Sequence, residues 1–295
     1  MRGITCVAVL ASLTLAATAG AADTFGPSPA QPAAHSFTVG KLQLTTLHDA
    51  QFVMPNDGKA FVVGVDPAKV SDVLRSAGAP TDRITLSVNQ LLVRTGHRVV
   101  LIDTGLGPKA HGSLLASLHE AGVKPSAVTD VLITHTHGDH TGGLVDADGH
   151  LAFPKATIRM AKDEWAWMQT KASPDLLKAI SSHVQPFEPG AQVAPGITSV
   201  ALKGHTPGHV GYEISSGQER LLDIGDLAHS FIISLHQPQW SIEFDTDDAQ
   251  AKSTRTTTLK KLASDQELIF APHFPFPGVG HIEAAGDGFA WKPAN

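Results

Sequence analysis

His135-Thr136-His137-Gly138-Asp139-His140 places four candidate metal ligands in six positions, directly after the apolar run Val131-Leu132-Ile133. Imidazole nitrogen and carboxylate oxygen are donors for divalent metal, and a strand end is a stiff support from which a loop can aim them into one cavity. Further polar groups sit near the ends of other apolar runs: Asp103-Thr104-Gly105, Gly204-His205, His209, Gly225-Asp226 and Pro272-His273. Together they could build a binuclear site. Water held between two such ions has its pKa lowered to about 7, which supplies hydroxide near neutral pH. The chemistry expected is attack of that hydroxide on a carbonyl carbon or phosphorus. No side-chain nucleophile is required, and no Gly-x-Ser-x-Gly motif occurs.

The elements that must position these groups follow from the apolar pattern. Ser36 to His48 alternates like a strand pair, and Asp66-Pro67 followed by Val70, Val73 and Leu74 reads as a capped helix. Ile84 to Val93 and Val99 to Asp103, joined at Thr95-Gly96-His97, predict a hairpin. A helix over Ser113 to Ala121, stopped by Gly122, leads into the strand Asp130 to Thr134 that carries the ligand cluster. The second half alternates again: a strand over Ala156 to Met160, helices over Lys162 to Gln169 and Asp175 to His183, then strands over Thr198 to Leu202, Val210 to Ile214 and Arg220 to Ile224. A long helix, Asp247 to Ala263, precedes a last strand, Glu267 to Phe270. Strand groups interleaved with helices favour two packed sheets with helices outside.

His135-x-His137-x-Asp139-His140, then Gly204-His205, Gly225-Asp226 and a terminal His273 resemble the metallo-β-lactamase-fold hydrolase superfamily over nearly the whole chain. The resemblance implies an α/β fold, an αβ/βα four-layer sandwich of two mixed sheets with helices outside. It also implies that His135, His137 and His205 hold one metal, that Asp139, His140 and His273 hold the other, and that Asp226 bridges them. The candidate catalytic carboxylates are Asp139 and Asp226. Two divalent ions are expected, zinc by default, with Mn, Fe or Co compatible with the same donors. His273 is favoured as last ligand over His281 because it closely follows Leu268-Ile269-Phe270. The resemblance also gives Asp103 the task of supporting a ligand imidazole, while His209 and His229 are candidates for orienting a ligand or meeting substrate.

An Asp at position 226 departs from the β-lactamases themselves, which commonly use Cys or Ser there. Ala271 to His281 and Gly225-Asp226-Leu227-Ala228-His229 are most similar to the methyl parathion hydrolase and quorum-quenching lactonase group. That group implies a neutral small-molecule substrate: an organophosphate triester, an acyl-homoserine lactone or an aryl ester. A homodimer is common among such enzymes. Trp165, Trp167, Phe274 and Phe276, with His229, are the expected apolar pocket and substrate contacts. Trp165 and Trp167 lie two apart on a helix and cannot share one face, so at least one belongs to the core. A contrasting reading is an exported zinc-binding protein without turnover. Shared ligand sets argue against it, because a structural site needs only one closed tetrahedral metal.

Composition bounds the rest. With 295 residues and 42% hydrophobic content the chain can bury a substantial core. Residues 1–21, with Arg2 before an apolar stretch from Ile4 to Ala17 and small residues Ala19-Gly20-Ala21, read as a signal peptide and imply a secreted or periplasmic protein. Residues 22–35, with Gly26-Pro27-Ser28-Pro29, read as a flexible or extended lead-in, and 36–295 as one hydrolase domain. Cys6, the one cysteine, falls inside the signal, so stability would rest on the core or on metal rather than disulfides. A formal charge of −6, or −7 without Arg2, is a poor match for nucleic acid or an anionic membrane.

Overall fold

The computed structural model describes residues 25–294. The expected signal segment lies outside these residues. Within them, period-two alternation decides which side chain enters which core. Along Arg83–Thr95, Leu91 and Val93 point to one side and Leu92 to the other; along Arg98–Ile102, Val100 and Ile102 oppose Leu101. The first set meets Val210, Tyr212, Ile214 and Leu221 of a second sheet. Leu92 and Leu101 instead meet Leu114, Leu118, Met168 and Ile180 of outer helices. On the far side Leu222, Ile269 and Ile282 pack on Leu259 and Leu262 of the helix Asp248–Asp265. Helix, sheet, sheet and helix therefore form the four-layer αβ/βα sandwich, each layer boundary fixed by fully buried aliphatic side chains contributing about 1.5–3 kcal/mol apiece.

The first sheet runs Gly26–Val39, Leu42–Pro55, Arg83–Thr95, Arg98–Ile102, Asp130–Leu132, Thr157–Ala161, Val184–Phe187, antiparallel at first and parallel from Arg98–Ile102 onward. The second runs Gly288–Pro293, Val279–Ala285, Leu268–Phe270, Glu219–Asp223, Val210–Ser216, Ile197–Ala201, Gln192–Ala194. Its one parallel pairing joins Glu219–Asp223 to Leu268–Phe270. The loops that follow Asp130–Leu132, Ile197–Ala201, Glu219–Asp223 and Leu268–Phe270 carry the candidate ligands, so two sheets deliver them to one rim. A small unit formed by the helix Pro67–Ser76 and the pair Val62–Val63 and Ser241–Ile242 packs Phe61, Val70 and Ile233 against Leu86 beside that rim.

One expectation is refined and one changes. Residues 26–35, read as a flexible or extended lead-in, are extended and form most of the edge strand Gly26–Val39, paired with Leu42–Pro55 and shifted in register between Pro29 and Ala33. Proline is compatible with an edge, where one row of N–H groups needs no partner. Leu268–Phe270 is not the last strand, because the hairpin Val279–Ala285 and Gly288–Pro293 follows it and closes the second sheet. Its Gly- and Pro-rich approach, Pro275 to Gly280, masks the alternation. No helix among the described residues is long and apolar enough to cross a membrane.

Candidate metal centre

The ligand loop after Asp130–Leu132 is shaped by Asp103. Its carboxylate accepts from Thr134 N at 2.9 Å and Thr134 Oγ1 at 2.7 Å, and lies 2.7 Å from His140 Nδ1. Asp103 itself adopts φ +59°, a left-handed conformation that costs a non-glycine residue about 1–2 kcal/mol. The bonds it makes offset that strain. Thr104 adds two more, donating from N and Oγ1 to the carbonyl of His140 at 2.7 and 2.9 Å.

The other ligands are braced in the same way. His205 Nδ1 meets Asp245 Oδ1 at 2.9 Å, and His273 Nδ1 donates to Ser87 O at 2.7 Å. His209, buried, donates from Nδ1 to Leu202 O and accepts from Asp226 N at 3.1 Å, which fixes the backbone of the shared carboxylate. Gly225 makes that turn possible: it has φ +47°, and a Cβ there would stand 2.5 Å from His209 Nε2. With their Nδ1 atoms occupied, His140, His205 and His273 turn Nε2 inward.

Two donor sets result. In the first, His205 Nε2 is 2.9 Å from His137 Nδ1 and 3.2 Å from His135 Nε2, which is 3.1 Å from His137 Nδ1. Asp226 Oδ2 approaches His205 at 3.2 Å and His135 at 3.5 Å. In the second, Asp226 Oδ1 lies 3.1 Å from His273 Nε2 and 3.3 Å from His140 Nε2, while Asp139 Oδ2 lies 3.5 and 3.6 Å from the same two nitrogens. Donors bound to tetrahedral zinc at about 2.0–2.1 Å stand about 3.4 Å apart, so both sets have metal-sized spacing. His140 Nε2 and Asp226 Oδ1 are moreover buried without a hydrogen-bond partner among the described residues. Buried polar atoms left this way need a ligand, and the donor set fits two divalent ions sharing Asp226.

Electrostatics agree with this fit. Burial holds His135 well below the ordinary imidazole range, and lowers His137 to about 4 and His209 to about 3. At His205 burial is outweighed by hydrogen bonds to Asp226 and Asp245, which push it up to about 9. Burial is likewise outweighed at His140 and His273, where nearby carboxylates, Asp226 foremost, raise both. The surrounding imidazoles, His273 first, overcome the burial of Asp226 and hold its carboxyl well below the usual range. The carboxylates thus draw positive charge into a buried space, and metal binding would replace those protons.

The seven expected ligands, His135, His137, Asp139, His140, His205, Asp226 and His273, are brought together. His281 is not: its Nδ1 donates to Gln266 O at 3.0 Å on the final hairpin. His229 lies 3.1 Å from Asp226 Oδ2 and lines a cavity of about 280 Å³ above the donor sets. The apolar wall of that cavity is Phe52, Met54, Leu86 and Phe244, none of which sequence reasoning singled out.

The expected aromatic wall separates. Phe274 is core, fully buried against Trp291 and Phe231 at ring distances of 5.3 and 6.2 Å. Asn89 accounts for this by donating to the carbonyls of Pro272 and Phe274, so that His273 faces the metal centre and Phe274 the opposite side. Phe276 stacks on His48 rather than lining the cavity. Trp165 packs on the helix-side core, while Trp167 sets its ring 5.8 Å from that of His137. Glu164 was also missed. Fully buried, it accepts from Thr136 N and Oγ1 at 2.8 Å each, and from Thr206 Oγ1 and Gly208 N at 2.7 and 3.0 Å. One carboxylate thereby ties a ligand loop of the first sheet to one of the second.

Residues 83–273 match the family model of the metallo-beta-lactamase superfamily. The chain belongs to this superfamily. Among solved structures it is similar to AidC, a dizinc quorum-quenching lactonase in complex with a hexanoyl-homoserine product, at TM-score 0.83 and 29% identity over 90% of this chain and 98% of that one. It is equally similar to the hydrolase AbOPH of the beta lactamase superfamily, at TM-score 0.82 and 29% identity over 90% and 99%. An atrochrysone carboxyl ACP thioesterase of Passalora fulva is 33% identical over 46% of this chain and 35% of its own length. Metallo-beta-lactamase domain-containing protein 1 of Xenopus laevis is 36% identical over 41% and 43%. The chain thus spans less than half the length of these curated relatives.

Proposed function

We propose that the protein is a binuclear metallohydrolase that opens a lactone or cleaves a neutral ester bearing an apolar group. The observation that carries this reading is a single carboxylate, Asp226, shared by two metal-spaced donor sets at the floor of an apolar cavity. Two divalent ions there, zinc by donor chemistry, would supply a hydroxide nucleophile near neutral pH and polarise the electrophile. The chain's own groups do the rest. Phe52, Met54, Leu86 and Phe244 hold the apolar substituent and exclude water from it. His229 offers a ring nitrogen to a polar group of the substrate, and Asp139, which lines the cavity, would pass a proton to the departing alkoxide through the carboxylate oxygen that is not part of the donor set. The likeness to AidC makes acyl-homoserine lactones the first substrate class to test.

A zinc-holding protein without turnover fits less well, because neither donor set is closed off from the cavity. Export, expected from residues 1–21, belongs to the proposal and is checked by the N-terminal mass of the mature protein. The deciding assay compares acyl-homoserine lactones, aryl esters and dialkyl aryl phosphotriesters with the purified protein, with and without added Zn²⁺ or Mn²⁺. Turnover of lactones or aryl esters that His135→Ala removes is the expected result. Turnover of phosphotriesters alone would replace the carbonyl electrophile by phosphorus, and two bound metals with no turnover of any class would reject the hydrolase reading.

A further inference from the structure

Arg255 is the largest fully buried side chain among the described residues, 1% exposed on the helix Asp248–Asp265. A guanidinium taken out of water persists only where its donors are met. Here Nε donates to Leu227 O at 2.8 Å, Nη1 to Pro238 O at 3.1 Å and Trp240 O at 3.4 Å, and Nη2 to Asp245 Oδ2 at 2.6 Å. The other oxygen of Asp245 is the one that meets His205 Nδ1 at 2.9 Å. An unbroken line of contacts therefore runs from the outer helix through Arg255 and Asp245 to a metal-facing imidazole.

We propose that Asp245 and Arg255 are positioning residues for the metal held by His135, His137 and His205, and that Arg255 couples this metal to the cavity wall. The proposal rests on the two-metal reading above. Asp245 accepts a hydrogen bond from His205 Nδ1–H and so selects the tautomer whose Nε2 lone pair faces the donor set. Arg255 holds that carboxylate by its second oxygen. Through the three carbonyls it also pins the segment 227–245, which bears His229 and Phe244. Lysine keeps the charge but lacks the planar fork that serves four acceptors at once. His140 and His273 take their support from Asp103 and Ser87 instead, so the effect is confined to one of the two ions.

The test uses the full chain loaded with Co²⁺, reading stepwise dissociation constants by chelator competition together with the visible spectrum. Asp245→Asn and Arg255→Lys should each weaken one site by about 10- to 100-fold and leave the other unchanged. In a His205→Ala background neither change should weaken binding further, whereas in a His273→Ala background both should. Circular-dichroism melts select folded variants, and Arg255→Lys, which keeps a cation opposite Asp245, serves if Asp245→Asn does not fold. Folded variants that keep both affinities, or that lose both equally, overturn the proposal. Wild-type protein that takes up fewer than two Co²⁺ overturns the two-metal reading, and the proposal with it.

Discussion

The two donor sets share Asp226 but differ in how they are built. The first consists of three imidazole nitrogens 2.9–3.2 Å apart, its loops braced by Glu164 through Thr136 on one side and its His205 by Asp245 on the other. The second replaces one imidazole by Asp139, which stands 3.5–3.6 Å from its partners and keeps 17% of its side chain exposed at the cavity. A tight, doubly braced set favours retention of its ion. A looser one facing the cavity leaves room for a ligand to enter its coordination space.

Removing the shared group erases the comparison and gives the largest effect. Asp226→Ala should lower kcat/KM for the proposed reaction by about 10³-fold or more and reduce metal content below two ions per chain, measured by elemental analysis beside kinetics. Asp139→Asn sharpens it: the second ion should bind about 10²-fold more weakly while the first holds, as read by chelator titration. Equal loss from both sets would contradict the asymmetry. Glu164→Gln addresses the other side, because an amide would face the donors of Thr206 and Gly208 or those of Thr136. A cost of about 1–3 kcal/mol in stability, seen in denaturant melts, should accompany about tenfold weaker binding of the first ion. The smallest effect is in protons. With its metal-free pKa pushed up to about 9 despite burial, by Asp226 and Asp245, His205 carries a proton at pH 7 that the first ion must displace. Affinity should therefore rise with pH up to about 9, and calorimetry in buffers of different ionisation enthalpy should register proton release; affinity independent of pH would refute this sign.

The ligand positions were legible because metal chemistry demands dense, chemically distinctive residues at strand ends, and His135 to His140 state that demand within six positions. Their supports were not. Glu164 resembles any acidic residue in the first turn of a helix, and its partners lie 28 and 42–44 residues away along the chain. Asp245 and Arg255 are ten residues apart and become a unit only through tertiary packing. Phe274 shows the opposite error: its aromatic type fits a pocket wall, yet the backbone pinned by Asn89 turns it away from the side that His273 faces. The cavity wall comes instead from Phe52, Met54 and Leu86 on two long antiparallel strands, where the apolar run Phe52-Val53-Met54 does not say that one face of the strand end borders a cavity. Two packed sheets with helices outside followed from the apolar pattern, whereas strand order depends on long-range pairing that periodicity does not carry, and the terminal hairpin escaped because glycine and proline precede it.

The edge strand Gly26–Val39 has one further consequence. A 14-residue strand at the margin of a seven-stranded sheet is a template on which another chain could extend the ladder, the usual opening for aggregation. Pro27, Pro29 and Pro32 cannot donate, and the register shift between Pro29 and Ala33 interrupts the row of regular pairing sites. The same prolines that hide this strand in the sequence thus blunt intermolecular strand addition along a sheet margin that must exist.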